Sequence, residues 1–384
     1  MLKKILKFFT TALLGILIGL CVWLIAFNGI EKLQLYVAFP DEPQGLYSGF
    51  YYSRLNDKEK VAYEVIMEEI KDMPKKIRVP ELDKESLSNV FDALHYDNTD
   101  LFFLGDNCVV ETSFSANYFV PEYIMGKTEY EKCMEELMQE KDKIIKTVST
   151  FSDDYEKELY IHDYIVDKCQ YVDEVGGSYS SMYGCIVKGE ASCEGYAKAM
   201  KYLLDEAGIE NYIASGYTYS EGNSESEGHA WNIVNINSHY YHVDVTWDDP
   251  IISEVEKKYA YFNISDNEIS KTHEVDGKFM GVCTSEKENY YEKNGLVFLV
   301  YDGKTRDTLT SELAHCLASG GKVFSFKFKD EKTLNEAKEA LFDMNGIYSI
   351  LLSASSTAGK RVSQDGISYA IDEKHFIIII SDFI

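Results

Sequence analysis

Three side chains within one stretch of this sequence have the chemistry of an acyl-transfer centre: the thiol of Cys193, the imidazole of His229 and the carboxylate of Asp244. A thiolate attacks an amide or ester carbonyl. An imidazole beside it takes and returns the proton, and a carboxylate fixes the imidazole's tautomer and stabilises its cation. Such a set needs a device that favours the thiolate and another that brings imidazole and carboxylate together. For the first, Tyr196, Met200, Leu203, Leu204 and Ala207 recur at helical spacing, and Gly208 stands where that helix would end. Ser192 is then an N-cap candidate. Cys193 falls in the first turn, where unpaired backbone N–H groups and the helix dipole favour an anion and could also hold a developing oxyanion.

The second device is a hairpin. Gly228–Val234 and Tyr240–Trp247 read as strands, with Asn237-Ser238 as a tight turn between them. A turn centred there sets Ile236 opposite His239 and His229 opposite Thr246. Asp244, two residues back on the same face, becomes a diagonal neighbour of His229, about 7 Å away between Cα atoms. A loop one residue longer or shorter would turn Asp244 to the other face.

Neighbouring residues carry competing readings. Trp231 shares the face of His229 and is either a wall of a substrate site or core; Trp247 is a second substrate-binding candidate. Cys193, His229 and His242 with Asp244 could be read as a zinc set, but a helix N-terminus already accounts for the thiol, and no metal is expected. Asp248 and Asp249 suit a closing turn, and two adjacent carboxylates are weak evidence for a cation site. His162, on a helix starting near Asp153, reads as a packing or surface residue.

The segments ASCEGYAKAMKYLLDEAGI, GHAWNIV and YYHVDVTWDDP occur in that order. Together they resemble the transglutaminase-like superfamily, a branch of the papain-like thiol enzymes, over residues 150–265, and EKELYIHDYIVDKCQY upstream is also similar. The resemblance implies Cys193 as nucleophile, His229 as base and acid, and Asp244 as orienting carboxylate. It implies an α+β, papain-like core in which the helix bearing the cysteine packs on an antiparallel sheet bearing the histidine and aspartate. The layout also resembles membrane-anchored bacterial members with an uncharacterised helical region ahead of the domain. The acidic loop EGNSESEG before His229 and the nearby Cys185 depart from the pattern without removing a member of the triad.

The expected activity is cysteine-dependent acyl transfer on protein or peptide amides through a thioester at Cys193, as a cysteine peptidase or a transglutaminase-like acyltransferase. Water would resolve the thioester by hydrolysis, and a lysine amine by cross-linking. A reading from another class stays open: a catalytically inactive transglutaminase-like module for binding or assembly at the cell surface. Neither reading requires a cofactor.

Around this core the chain divides by pattern. Lys3, Lys4 and Lys7 precede an uncharged apolar stretch from Phe8 to Asn28, long enough for one membrane-crossing helix. The lysines would stay in the cytoplasm and the rest of the chain outside it. The expected plan is a transmembrane signal anchor over 1–28, a mainly helical region of unknown role over 29–145, the catalytic domain over 146–285 and a small α/β unit over 286–384. Helices are expected over Asp57–Ile77, Thr128–Val148, Thr308–Leu317 and Leu334–Phe342. Strands are expected at Val109–Phe114, Val297–Tyr301, Lys322–Phe328, Tyr348–Leu352 and Phe376–Ser381.

The net charge of −26 repels phosphate backbones and excludes nucleic acid as a natural partner. The expected partners are a protein or peptide substrate, cell-wall-associated ones among the candidates, and the membrane through the N-terminal helix. Eight cysteines without a CxxC pair point away from zinc ribbons and thioredoxin-like sites.

Overall fold

The computed structural model describes residues 12–23, 38–113, 116–219, 226–249, 259–363 and 367–383. Residues 12–23 are helical, and the remainder of the apolar stretch 8–28 lies outside the described residues. Among the described residues no helix is long and apolar enough to cross a membrane. The chain forms two compact units: Met1–His95 with Asp106–Tyr123, and Tyr96–Gly105 with Ile124–Ile384.

In the first unit, α1 (Asp57–Glu69) starts with a capping box. The Asn56 side chain accepts from the Glu59 amide at 3.1 Å, and the Glu59 carboxylate accepts from the Asn56 amide at 2.9 Å. The helix stops short of the expected Ile77, because Met73 takes a left-handed conformation (φ 52°) just before Pro74. Then come β1 (Ile77–Val79), α2 (Lys84–Asp97), β2 (Leu104–Ser113) and β3 (Ala116–Tyr123), with the strands ordered β1-β3-β2. The region expected to be mainly helical therefore also carries a sheet. The strand expected over Val109–Phe114 overlaps β2, which begins earlier, at Leu104, and is largely solvent-facing beyond Gly105.

The second unit holds the triad residues. Helices α3 (Lys127–Val148) and α4 (Asp154–Lys168) lead to the two-residue strands β4 (Gln170–Tyr171) and β5 (Glu190–Ala191), which pair in parallel just before α5 (Cys193–Glu206). An antiparallel sheet follows: β6 (Asn211–Tyr219), β7 (Ser226–Ile236), β8 (His239–Val243) and β9 (His273–Val275), in the order β8-β7-β6-β9. One face of the sheet packs on α5. Ala197 clusters with Ile213 and Ala230, and the Asn232 side chain donates to the Ala197 carbonyl at 3.0 Å. The fold is α+β, with the cysteine-bearing helix on the histidine-bearing antiparallel sheet.

The C-terminal segment builds a four-stranded sheet from β10 (Val297–Phe298), β11 (Phe324–Phe328), β12 (Ser368–Asp372) and β13 (Ile377–Ser381), in the order β10-β11-β13-β12. Helices α6 (Gly303–Ser319), α7 (Glu331–Lys338) and α8 (Gly346–Ala358) accompany it. The expected strand Tyr348–Leu352 is part of α8. Its buried residues Ile347, Ile350, Leu351 and Ala354 follow the i, i+3, i+4, i+7 rhythm of a helix, which a five-residue reading could not display. The segment joins the rest of the unit through a 2.7 Å Lys327–Glu268 ion pair and a Tyr291–Ser325 hydrogen bond.

Candidate active site

Cys193 is the first residue of α5, and Ser192 holds the N-cap position with extended backbone (φ −82°, ψ 175°). The Ser192 hydroxyl does not cap the helix; it turns back to the Tyr179 carbonyl at 3.3 Å. No Ser192 oxygen therefore competes for the first-turn amides, which have no carbonyl one turn before them. The helix can approach the 179–191 segment closely because position 195 is glycine. A Cβ there would stand 2.3 Å from the Tyr179 carbonyl oxygen and 2.8 Å from the Ala191 Cβ.

The hairpin register is as counted. Ile236 pairs with His239 across a turn in which Asn237 (φ 53°) and Ser238 (φ 65°) both take positive φ, as a type I′ turn requires. The ladder, however, ends at the Asn232–Val243 pair. The residues expected to continue the strand instead form a single helical turn, Val245–Asp248, with Asp244 as its N-cap. Asp244 Oδ1 accepts from the amides of Thr246 at 3.1 Å and Trp247 at 3.2 Å. His229 consequently has no partner strand at Thr246, yet its Nε2 lies 2.7 Å from Asp244 Oδ2.

Burial disfavours a charged imidazole at His229, but the adjacent Asp244 carboxylate and a hydrogen bond with Cys193 outweigh it and raise its pKa to about 10. Asp244 is fully buried, which opposes its charge. The two imidazoles and amides around it overcome that penalty and hold the carboxyl well below its usual range. An ionised carboxylate only accepts, so the neutral His229 ring carries its hydrogen on Nε2 and keeps the Nδ1 lone pair for the thiol. Cys193 and His229 share the wall of a cavity of about 490 Å³ with Ser215, Gly216, Glu274 and Asp276. Burial pushes up the thiols of Cys108 (to about 11), Cys185, Cys283 and Cys316.

Residues 142–245, which include all three side chains, match the family model of the transglutaminase-like superfamily. The chain carries a transglutaminase-like domain. No curated protein matches it. Among solved structures it is similar to a TGase (16% identity, TM-score 0.24, 45% of this chain and 51% of that one). It is also similar to a protein from Cytophaga hutchinsonii provisionally described as a cysteine protease (14% identity, TM-score 0.26, 38% of this chain and 63% of that one). The chain thus spans about half the length of the first and under two thirds of the second.

In the transglutaminase-like domain the two tryptophans do not line the cavity. Trp231 is buried. Its ring stacks on His229 with centroids 5.9 Å apart, and its indole N–H donates to His242 Nδ1 at 3.0 Å. Trp247 meets the His229 ring edge-on at 6.2 Å. Both rings pack against the imidazole, Trp231 from within the core and Trp247 from a half-buried position. Gly216, opposite His229 in the ladder, is needed here as well. A Cβ would stand 2.2 Å from the Glu274 carbonyl and 2.9 Å from the Trp231 ring.

Asp248 and Asp249 are tethers. Asp248 Oδ2 lies 3.1 Å from His162 Nε2, its Oδ1 accepts from the Tyr261 amide at 2.9 Å, and Asp249 accepts from the Tyr196 hydroxyl. The residue that sequence reasoning missed is His273 on β9. Its Nε2 lies 3.0 Å from the same Asp244 Oδ2 that His229 uses. A three-residue strand gives little periodic signal. Only pairing with β6, Thr218 opposite His273, brings it onto the sheet face that also carries His229.

Proposed function

We propose that the transglutaminase-like domain is a cysteine-dependent acyl-transfer enzyme acting on protein or peptide amides. The observation that carries this reading is that Cys193 and His229 share one cavity wall while buried Asp244 holds the imidazole by its Nε2. The Cys193 thiolate attacks the amide carbonyl carbon, and the Cys193 amide at the helix start is placed to stabilise the oxyanion. The C–N bond breaks as the His229 imidazolium gives its proton to the departing amine, leaving a thioester on Cys193. Water or a second amine then attacks the thioester while His229 takes its proton, and the Cys193 thiolate leaves. Glu274 and Asp276 at the cavity give it a negative field that suits a substrate bearing a cationic side chain such as lysine.

Amine incorporation and casein hydrolysis measured side by side test the proposal, with Cys193→Ala as control. Cysteine-dependent signal in either assay is expected and names the acceptor; absence from both favours a binding or assembly module. The site is further proposed to act outside the cytoplasm, tethered through the apolar stretch 8–28. Retention in the membrane after alkaline carbonate washing, with loss of Cys193 to protease added outside intact cells, is the expected result.

A further inference from the structure

The Asp244 carboxylate is shared. Its Oδ1 takes two backbone amides, and its Oδ2 takes two imidazoles, His229 at 2.7 Å and His273 at 3.0 Å. Four donors fill the accepting capacity of an ionised carboxylate. His273 is buried, and its other ring nitrogen is also engaged. Thr272 Oγ1 lies 2.8 Å from its Nδ1, and the Tyr261 hydroxyl hydrogen-bonds Thr272. An ionised carboxylate only accepts, so a neutral His273 carries its hydrogen on Nε2 and donates it to Asp244. Burial, despite Asp244 and helped by the nearby His229 and His242, lowers the pKa of His273 and keeps it neutral.

We propose that His273 is a positioning residue for the thiol centre: by sharing Asp244 Oδ2, it limits the carboxylate's hold on His229 and so keeps the His229 proton mobile. The inference rests on the acyl-transfer reading above. Asp244 is anchored independently through Oδ1, so His273 is not needed to hold it in place. What His273 changes is how much of the carboxylate's charge His229 receives. A strongly held imidazolium is a poor acid toward the departing amine, so sharing the carboxylate aids the step that breaks the C–N bond. The ionisable groups facing this pair are Cys193 and Asp244 at His229, and Asp244, His242 and Tyr261 at His273.

The test uses the full chain with His273→Leu and His273→Gln. Glutamine returns an N–H donor to the carboxylate and leucine does not. Alkylation of Cys193 by iodoacetate, an anion drawn in by the His229 cation, is followed by mass spectrometry across pH. Its rate falls as His229 deprotonates. His273→Leu is expected to move that alkaline limb up by about one pH unit, and His273→Gln to leave it near the wild-type position. Nitrogen-15 shifts of the His229 ring report the same titration without using the thiol. An unmoved or lowered limb in a folded His273→Leu chain overturns the proposal, as does an equal shift in both variants. If Cys193 in the unmodified chain alkylates no faster than the other thiols, the acyl-transfer reading falls, while the ring titration still decides the role of His273.

Discussion

Among the buried histidine–aspartate arrangements of the second unit, two draw their carboxylates from the two ends of one short turn. Asp244 opens the turn and meets His229; Asp248 closes it and meets His162. The His162 ring itself is sealed. The ring has no exposure, Asp163 lies 3.1 Å from its Nδ1, and Phe262 packs edge-on against it. Around His229, Nε2 is held in the same way, but the ring also hydrogen-bonds a thiol on a cavity wall. Burial disfavours the cation in both rings, and neighbouring carboxylates overcome it, raising His162 to about 9 and His229 to about 10. A perturbed imidazole therefore does not by itself mark chemistry. A nucleophile and an open side do.

The comparison can be broken by exchanging effects between the two sites. Asp244→Asn should slow acyl transfer roughly 10³-fold in whichever assay responds, with the fold retained by circular dichroism. A slowing below tenfold would remove Asp244 from the mechanism. His162→Ala should do the reverse. It should leave the rate of Cys193 alkylation within about twofold, yet cost roughly 3–5 kcal/mol in denaturant unfolding, because Asp248 is left buried and uncompensated. Slowed alkylation in a stable His162→Ala chain would show that the two arrangements are coupled.

A third measurement sharpens the sealed site. Glu158 beside His162 is fully buried, with Asn263 donating to one oxygen at 2.8 Å, and burial raises its pKa from 4.5 to about 8. The folded state then holds a proton that the unfolded chain releases. Stability is greatest below pH 4.5 for this group and declines as pH rises to about 8. Glu158→Gln should make the fall in melting temperature between pH 5 and pH 8 shallower, and an unchanged slope would remove Glu158 as its source. The smallest effect expected is at the sheet. Gly216→Ala must displace the Glu274 backbone or the Trp231 ring, at a cost of about 1–3 kcal/mol; a neutral change would mean that β9 has room to move.

Much of the open site was legible in the sequence, and very little of the sealed one. Helical spacing after Ser192 and the Asn237-Ser238 turn are local signals, and each led to the correct neighbour relation. The count nevertheless carried the strand through to Trp247, whereas an aspartate at a strand end can cap the turn that follows, as Asp244 does. His162 and Asp248 are 86 residues apart, and no local period relates them. The choice between wall and core for Trp231 was likewise beyond local pattern. Sharing a face with His229 places Trp231 beside its ring, and only the packing of the whole sheet shows it to be buried. In the N-terminal unit the strand expected over Val109–Phe114 overlaps β2, but the strands β1 and β3 that complete its sheet were not read from the sequence.

The attachment of β9 to β6 also bears on when the centre comes into being. Cys193, His229 and Asp244 leave the ribosome before residue 273 does. The second imidazole on Asp244 arrives only when Thr218 pairs with His273, a contact across 55 residues. Long-range pairings of this kind close late in folding. The nascent chain thus holds its thiol beside an incomplete carboxylate setting until the last strand of the sheet docks, which makes completion of the fold the step that finishes the site.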